Sequence, residues 1–198
     1  MQYKTFKDEI QLSRLGMGVM RLPILEGNEA KIDYEKAEKL ISHCMEQGIN
    51  YYDTAYIYHG GKSEEFLGKA LAKYPRDSFY VADKYNFQAQ PDYCKQFQEQ
   101  LVRLNMDRID FYLLHGLQDT FAEEMIGNGC ISYFDQMKKD GKIKYLGFSF
   151  HGTAELLKKL LKLYPWDFVQ IQFNIMIGIL QMQKSCMKFW SRLKFRLW

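Results

Sequence analysis

Asp53, Lys84 and His115 each stand at the end of a short apolar run: Ile49-Asn50-Tyr51-Tyr52, Phe79-Tyr80-Val81-Ala82-Asp83 and Ile109-Asp110-Phe111-Tyr112-Leu113-Leu114. Tyr58 follows the first of them by five residues. A carboxylate, a phenol, an amine and an imidazole are groups that can hold, tune and deliver a proton to a reacting oxygen. An apolar run that ends in a charge and passes into a loop reads as a parallel strand carrying a reactive group to its C-terminal rim. Several strands doing so on one rim is how a (β/α) barrel builds an active site. The pattern predicts an enzyme.

The elements that must position these groups alternate. Apolar runs at 15–18, 50–53, 79–83, 109–114, 144–148 and 168–173 predict six strands, and amphipathic segments at 34–45, 63–71, 91–104, 131–140 and 153–163 predict the helices. Asp33 stands where an N-cap belongs, and Ser63 reads as the cap of the next helix, with Glu64 and Glu65 suiting its dipole. Gly48 and Gly141 mark helix ends, and Tyr164-Pro165 stops the last helix. Tyr3-Lys4-Thr5-Phe6 and Gln11-Leu12-Ser13 read as a small hairpin. Alternation of this kind predicts a parallel sheet with right-handed crossovers. The expectation is an α/β fold: an incomplete (β/α)8 TIM barrel of about six parallel strands, preceded by the hairpin.

With 198 residues, 47% of them hydrophobic, the chain can bury one core. It is short for a full eight-stranded barrel, which takes about 250 residues. Met1-Gln2-Tyr3-Lys4 leads into polar sequence, and no apolar run reaches the roughly 20 residues of a membrane span, so a cytoplasmic protein without membrane association is expected. Cys44, Cys94, Cys130 and Cys186 are isolated, which suits a reduced compartment and predicts no metal. The formal charge of +3 hides a split: residues 175–198 carry Lys184, Lys188, Arg192, Lys194 and Arg196 and no acid, so residues 1–174 hold 22 basic against 24 acidic groups. A mildly acidic body argues against a nucleic-acid partner.

The stretch Asp53-Thr54-Ala55-Tyr56-Ile57-Tyr58-His59-Gly60-Gly61-Lys62-Ser63-Glu64-Glu65-Phe66-Leu67-Gly68-Lys69-Ala70-Leu71 resembles the signature of the aldo-keto reductases. Lys84 and His115 fall where that family keeps its other two catalytic residues. Gly147-Phe148-Ser149-Phe150-His151-Gly152 and Val169-Gln170-Ile171-Gln172-Phe173-Asn174 extend the resemblance over residues 1–174. Gly16-Met17-Gly18-Val19-Met20-Arg21-Leu22-Pro23 is similar to a bacterial branch often fused to an iron–sulfur domain, although no cluster-binding cysteine series is present.

The resemblance implies reduction of aldehyde or ketone carbonyls to alcohols with NADPH, NADH being the second choice, on a small-molecule carbonyl substrate. A phenol near pKa 10 is a poor acid at neutral pH, and a neighbouring ammonium favours its ionised form. The resemblance therefore implies Tyr58 as proton donor, Lys84 as its activating partner, Asp53 as the counter-ion of Lys84, and His115 as the group that positions the carbonyl and shares in proton transfer. It further implies that Ser149 and Gln170 hold the nicotinamide carboxamide, that Gly18 and Met20 line the same pocket, and that Asp53 contributes to it. His59 and His151 read as loop contacts, and Gly60-Gly61 as a helix-entry turn.

After Asn174 the resemblance stops, and 175–198 reads as an aberrant basic and hydrophobic tail. A family-like continuation Asn-Tyr-Tyr-Asp-Trp-Asp-Phe-Ala, written in suitable codons and stripped of one base after the first, reads Asn-Ile-Met-Ile-Gly-Ile-Leu-Gln. That is the sequence from Asn174 to Gln181. The expectation is a frameshifted tail on a truncated barrel with weak or no activity. Two other readings compete with it. One is a non-catalytic binding or regulatory protein on the same barrel; the other is a tail whose Lys184, Lys188 and Arg192 face anionic membranes.

Overall fold

The computed structural model describes residues 1–7 and 9–171. Strands β1 (Tyr3–Phe6) and β2 (Ile10–Ser13) pair antiparallel as the expected hairpin. The chain then alternates through β3 (Met17–Gly18), α1 (Tyr34–Glu46), β4 (Tyr51–Asp53), α2 (Ser63–Leu71), β5 (Tyr80–Tyr85), α3 (Tyr93–Leu104) and β6 (Ile109–Leu117). It continues through α4 (Ala122–Gly127), α5 (Cys130–Lys139), β7 (Ile143–Phe150), α6 (Ala154–Leu163) and β8 (Phe168–Ile171). Strands β3 to β8 form one parallel sheet in sequence order, curled as a half-barrel with its helices outside. The end of the last expected strand and all of residues 175–198 lie outside the described residues.

The helix signals act as their chemistry requires. The Asp33 carboxylate accepts from Lys36 N at 3.1 Å, and Gly48 and Gly141 take φ of +80° and +73° just past α1 and α5. The Ser63 cap is corrected: Lys62 holds that position without a side-chain bond, and Ser63 is the first helical residue. Its hydroxyl instead meets the Thr54 hydroxyl at 2.8 Å. Strands β5, β6 and β7 also run past their expected ends, so Lys84, His115 and Ser149 lie within strands. At Gly116 (φ +65°) the β6–β7 register shifts, which re-aims the end of β6 beside His115.

Two apolar layers hold the sheet. On the outer face Ile41, Phe66, Leu67, Phe97, Leu104, Phe134 and Leu157 pack the helices against the strands. Helices α2 and α3 approach closely at Gly68, where a Cβ would meet Leu104 O at 2.3 Å. On the inner face Ala82, Phe111, Leu113, Tyr145 and Phe168 cluster with Phe6, Ile10 and Leu12 of the hairpin. The Phe6 ring lies 5.4 Å from Phe111 and 4.8 Å from Tyr145, so the hairpin plugs the end of the sheet where the strands begin.

Candidate active site

Side chains of a strand alternate between faces, so residues two apart share one. That parity carries Tyr51 and Asp53 on β4, Ala82 and Lys84 on β5, and Leu113 and His115 on β6 to the interior. Gly147 and Ser149 on β7 and Phe168 and Gln170 on β8 follow the same rule. The earlier residue of each pair lies toward the apolar plug, and the later one stands above it at the C-terminal rim.

Lys84 is the hub. Its side chain is 3% exposed, and its Nζ donates to Asp53 Oδ1 at 2.6 Å, to Thr54 O at 2.6 Å and to Tyr58 Oη at 3.5 Å. These bonds use all three donors of an ammonium. Burial works against its charge, but the Asp53 carboxylate and then Tyr58 outweigh burial and raise the amine above its ordinary pKa. Lys84 is therefore a fixed cation beneath the phenol.

Tyr58 stands edge-on to His115, ring centroids 6.0 Å apart. Asn86 Oδ1 accepts from Ala89 N at 2.9 Å, which turns Asn86 Nδ2 toward His115 Nδ1, 3.5 Å away. An amide N–H facing Nδ1 makes that nitrogen the acceptor and leaves the ring proton on Nε2. Burial, followed by the charge of Lys84, pushes the mostly buried imidazole down to about 3. His115 is thus neutral at physiological pH, an N–H donor and not an imidazolium acid.

Ser149 Oγ accepts from Gly116 N at 2.6 Å, leaving its own hydrogen to donate. In register beside it, Gln170 donates from Nε2 to Asp53 Oδ2 at 3.3 Å, while its buried Oε1 has no partner among the described residues. Gly18 is paired in register with Asp53, and a Cβ there would meet nothing within 4 Å. Met20 is 55% exposed on the loop that follows.

Sequence reasoning missed the supports. Thr54 supplies a carbonyl to Lys84, Gln100 donates to Lys84 O at 3.1 Å, and Gln96 clamps the Asn86 backbone at 2.7 and 3.0 Å. Polar residues on amphipathic helices read as solvated, and only the fold shows Gln96 and Gln100 fully buried. Among the described residues no group of three or more His, Cys, Asp or Glu could hold a metal, and no helix is long and apolar enough to cross a membrane.

A curled parallel sheet with ionisable groups gathered on its C-terminal rim defines the class: a (β/α)-barrel protein whose candidate site is built from several strand ends. Within that class, the model of the aldo/keto reductase family matches residues 14–190, and the chain belongs to that family. The matched span runs past residue 174, the boundary expected from sequence. The chain is 31% identical over 179 residues to an aldo-keto reductase of Gibberella moniliformis, covering 85% of this chain and 52% of that protein. It is 25% identical to the aldo-keto reductase yakc [NADP(+)] of Schizosaccharomyces pombe, covering 81% and 48%. The holo form of aldo-keto reductase AKR11C1 from Bacillus halodurans superposes with a TM-score of 0.69 at 29% identity, over 87% of this chain and 58% of that one. The chain spans about half the length of the curated relatives it matches.

Proposed function

We propose that residues 1–174 form the proton-delivering part of a carbonyl reductase that uses NADPH, with NADH the second choice, on aldehydes or ketones. The observation that carries this reading is the Lys84 ammonium, held at once by Asp53 and Thr54 and aimed at the Tyr58 hydroxyl.

A nicotinamide carboxamide offers an N–H donor and a carbonyl acceptor. Gln170 Oε1 is a buried acceptor without a partner among the described residues, and the Ser149 hydroxyl has a hydrogen to donate. The two are register neighbours, so the pair fits the group. When bound, the reduced nicotinamide supplies hydride to the carbonyl carbon. The chain's own residues act on the oxygen. His115 Nε2–H orients it, and Tyr58 gives it a proton as negative charge builds there. The Lys84 ammonium stabilises the phenolate left behind, and Asp53 keeps that ammonium in place. Acid catalysis of this kind contributes roughly 10²–10⁴-fold.

On the same reading, residues 175–198 are a distinct segment, and the 198-residue chain binds cofactor weakly and turns over little or nothing. The test is a tryptophan-fluorescence titration with NADPH, followed by prolonged incubation with an aldehyde. Saturable binding, with any product lost in Tyr58→Phe, supports the reading. Absence of NADPH binding, or product formation indifferent to Tyr58→Phe, overturns it. Sequencing the gene around the Asn174 codon tests the tail. An intact frame with no family-like sequence in an adjacent frame removes the frameshift.

A further inference from the structure

Three successive residues after Tyr58 lie in the left-handed region: His59 at φ +53°, Gly60 at +61° and Gly61 at +84°. For the glycines this costs little. For His59, which has a Cβ, it is unfavourable and persists only where the surroundings over-determine it. The over-determination is visible at the ring, which is 6% exposed. Nδ1 lies 2.7 Å from Glu29 O, and Nε2 lies 3.1 Å from Leu22 N. A carbonyl can only accept and a backbone N–H can only donate, so Nδ1 carries the proton, Nε2 offers its lone pair, and the imidazole is neutral.

Both partners belong to the loop between β3 and α1. That loop folds on itself through Leu25 N to Lys31 O at 2.8 Å, Asp33 N to Pro23 O at 2.8 Å and a bridge between Ile24 and Ile32, so it is braced internally. The turn meets the loop once more at Gly60, where a Cβ would stand 3.3 Å from the Ala30 Cβ. At its start, Val19 N donates to Asp53 O at 2.9 Å. The loop thus begins beside Asp53 and is fastened again immediately after Tyr58.

We propose that His59 is a positioning residue that pins the β3–α1 loop to the turn carrying Tyr58, so that the phenol and the loop over the rim are set against Lys84 as one body. The effect on cofactor binding rests on the reductase reading above; the pin itself does not. The ring reaches across both segments with one donor and one acceptor, a combination that an apolar side chain cannot supply. Gln retains a side-chain acceptor that can receive the Leu22 N–H.

The experiment is hydrogen exchange by mass spectrometry on the full 198-residue chain, comparing His59→Ala and His59→Gln with the unmodified protein. In His59→Ala, exchange in peptides covering 19–32 and 54–62 is expected to rise about tenfold or more while peptides of β6 and β7 are unchanged. His59→Gln is expected to recover much of the protection. Unchanged exchange in His59→Ala overturns the proposal. So does a uniform rise across the chain, which would mark His59 as a general stabiliser. NADPH titration of the same proteins should show about tenfold weaker binding in His59→Ala, equivalent to one decade in Kd, with recovery in His59→Gln. An unchanged constant overturns the role of the pin at the site. If the unmodified chain binds no NADPH, the reductase reading fails, and the exchange pattern alone decides the pin.

Discussion

Gln170 on β8 donates to Asp53 on β4 at 3.3 Å, although β5, β6 and β7 lie between them in the sheet. Only a curled sheet brings those strands within reach, so the bond measures the curl at the site. It also divides the Asp53 carboxylate, one oxygen to Lys84 and the other to Gln170. Gln170→Leu keeps the bulk and removes both polar functions. On the reductase reading, NADPH binding should weaken about tenfold, which is ~1.4 kcal/mol, with far-UV circular dichroism unchanged. An unaltered affinity would detach Gln170 from the cofactor.

Lys84→Met should cost stability as well as chemistry. The methionine fills the space, but Asp53, with its side chain only 14% exposed, loses its counter-ion. Removing one partner of a buried pair costs on the order of 3–5 kcal/mol, chiefly through the charge left behind. Adding Asp53→Asn removes that charge, so the double variant should be more stable than Lys84→Met alone. Denaturant unfolding of the four proteins in the cycle measures the coupling. Simple additivity would show that the two groups do not depend on each other.

How much of this was legible in the sequence follows from which force fixes each feature. Lys84 and His115 were readable because strand parity and an apolar run leave few other places for a terminal charge. Strand ends were less readable: β6 runs to Leu117 through an irregular register at Gly116, and apolar patterning says nothing about such a shift. Ser63 was misread because residue type suggests a cap, whereas its hydroxyl is claimed by Thr54, nine residues earlier. The short helix α4 precedes Asn128-Gly129, and six residues give too little periodicity to register. Asn86 and Gln96 were invisible as supports of His115, because their bonds form only once β5 and α3 are packed.

Asp83 points away from the site into the helix layer, fully buried, with Oδ1 accepting from Lys84 N at 2.7 Å. Burial and then the charge of Glu64 hold its carboxyl well above the usual 3.8. The folded protein keeps a proton that the unfolded chain releases, so this residue's stabilisation is full below pH 3.8 and is lost as pH rises toward the folded value. Asp83→Asn retains the acceptor and cannot ionise. It should melt higher than the parent at pH 7–8, with the difference narrowing toward pH 4. Glu64, paired with Arg103 at 2.9 Å and with Gln100 at 3.0 Å, stays in place. Identical melting profiles at both pH values would mean that Asp83 is not the neutral member of the pair.

His115 titrates in the opposite sense. Its unfolded value is 6.5 and its folded value is pushed down to about 3 by burial and by Lys84. Between those limits the unfolded chain binds the proton more tightly, so stability from this residue is full above pH 6.5 and lost as pH falls toward 3. The loss is on the order of a few kcal/mol at most, since the ring, though mostly buried, keeps some exposure and solvent screens part of the repulsion. Carboxylates losing their charge also contribute to acid unfolding, so the decisive quantity is the difference between two proteins. His115→Gln cannot gain a proton there. Its stability should fall less steeply than the parent's between pH 6.5 and 4, measured by urea unfolding at fixed ionic strength. Parallel curves would mean that the native imidazole takes up its proton near the ordinary 6.5. Below that pH His115 would face a bound carbonyl as a cation, and Tyr58 would have to share the role of proton donor there.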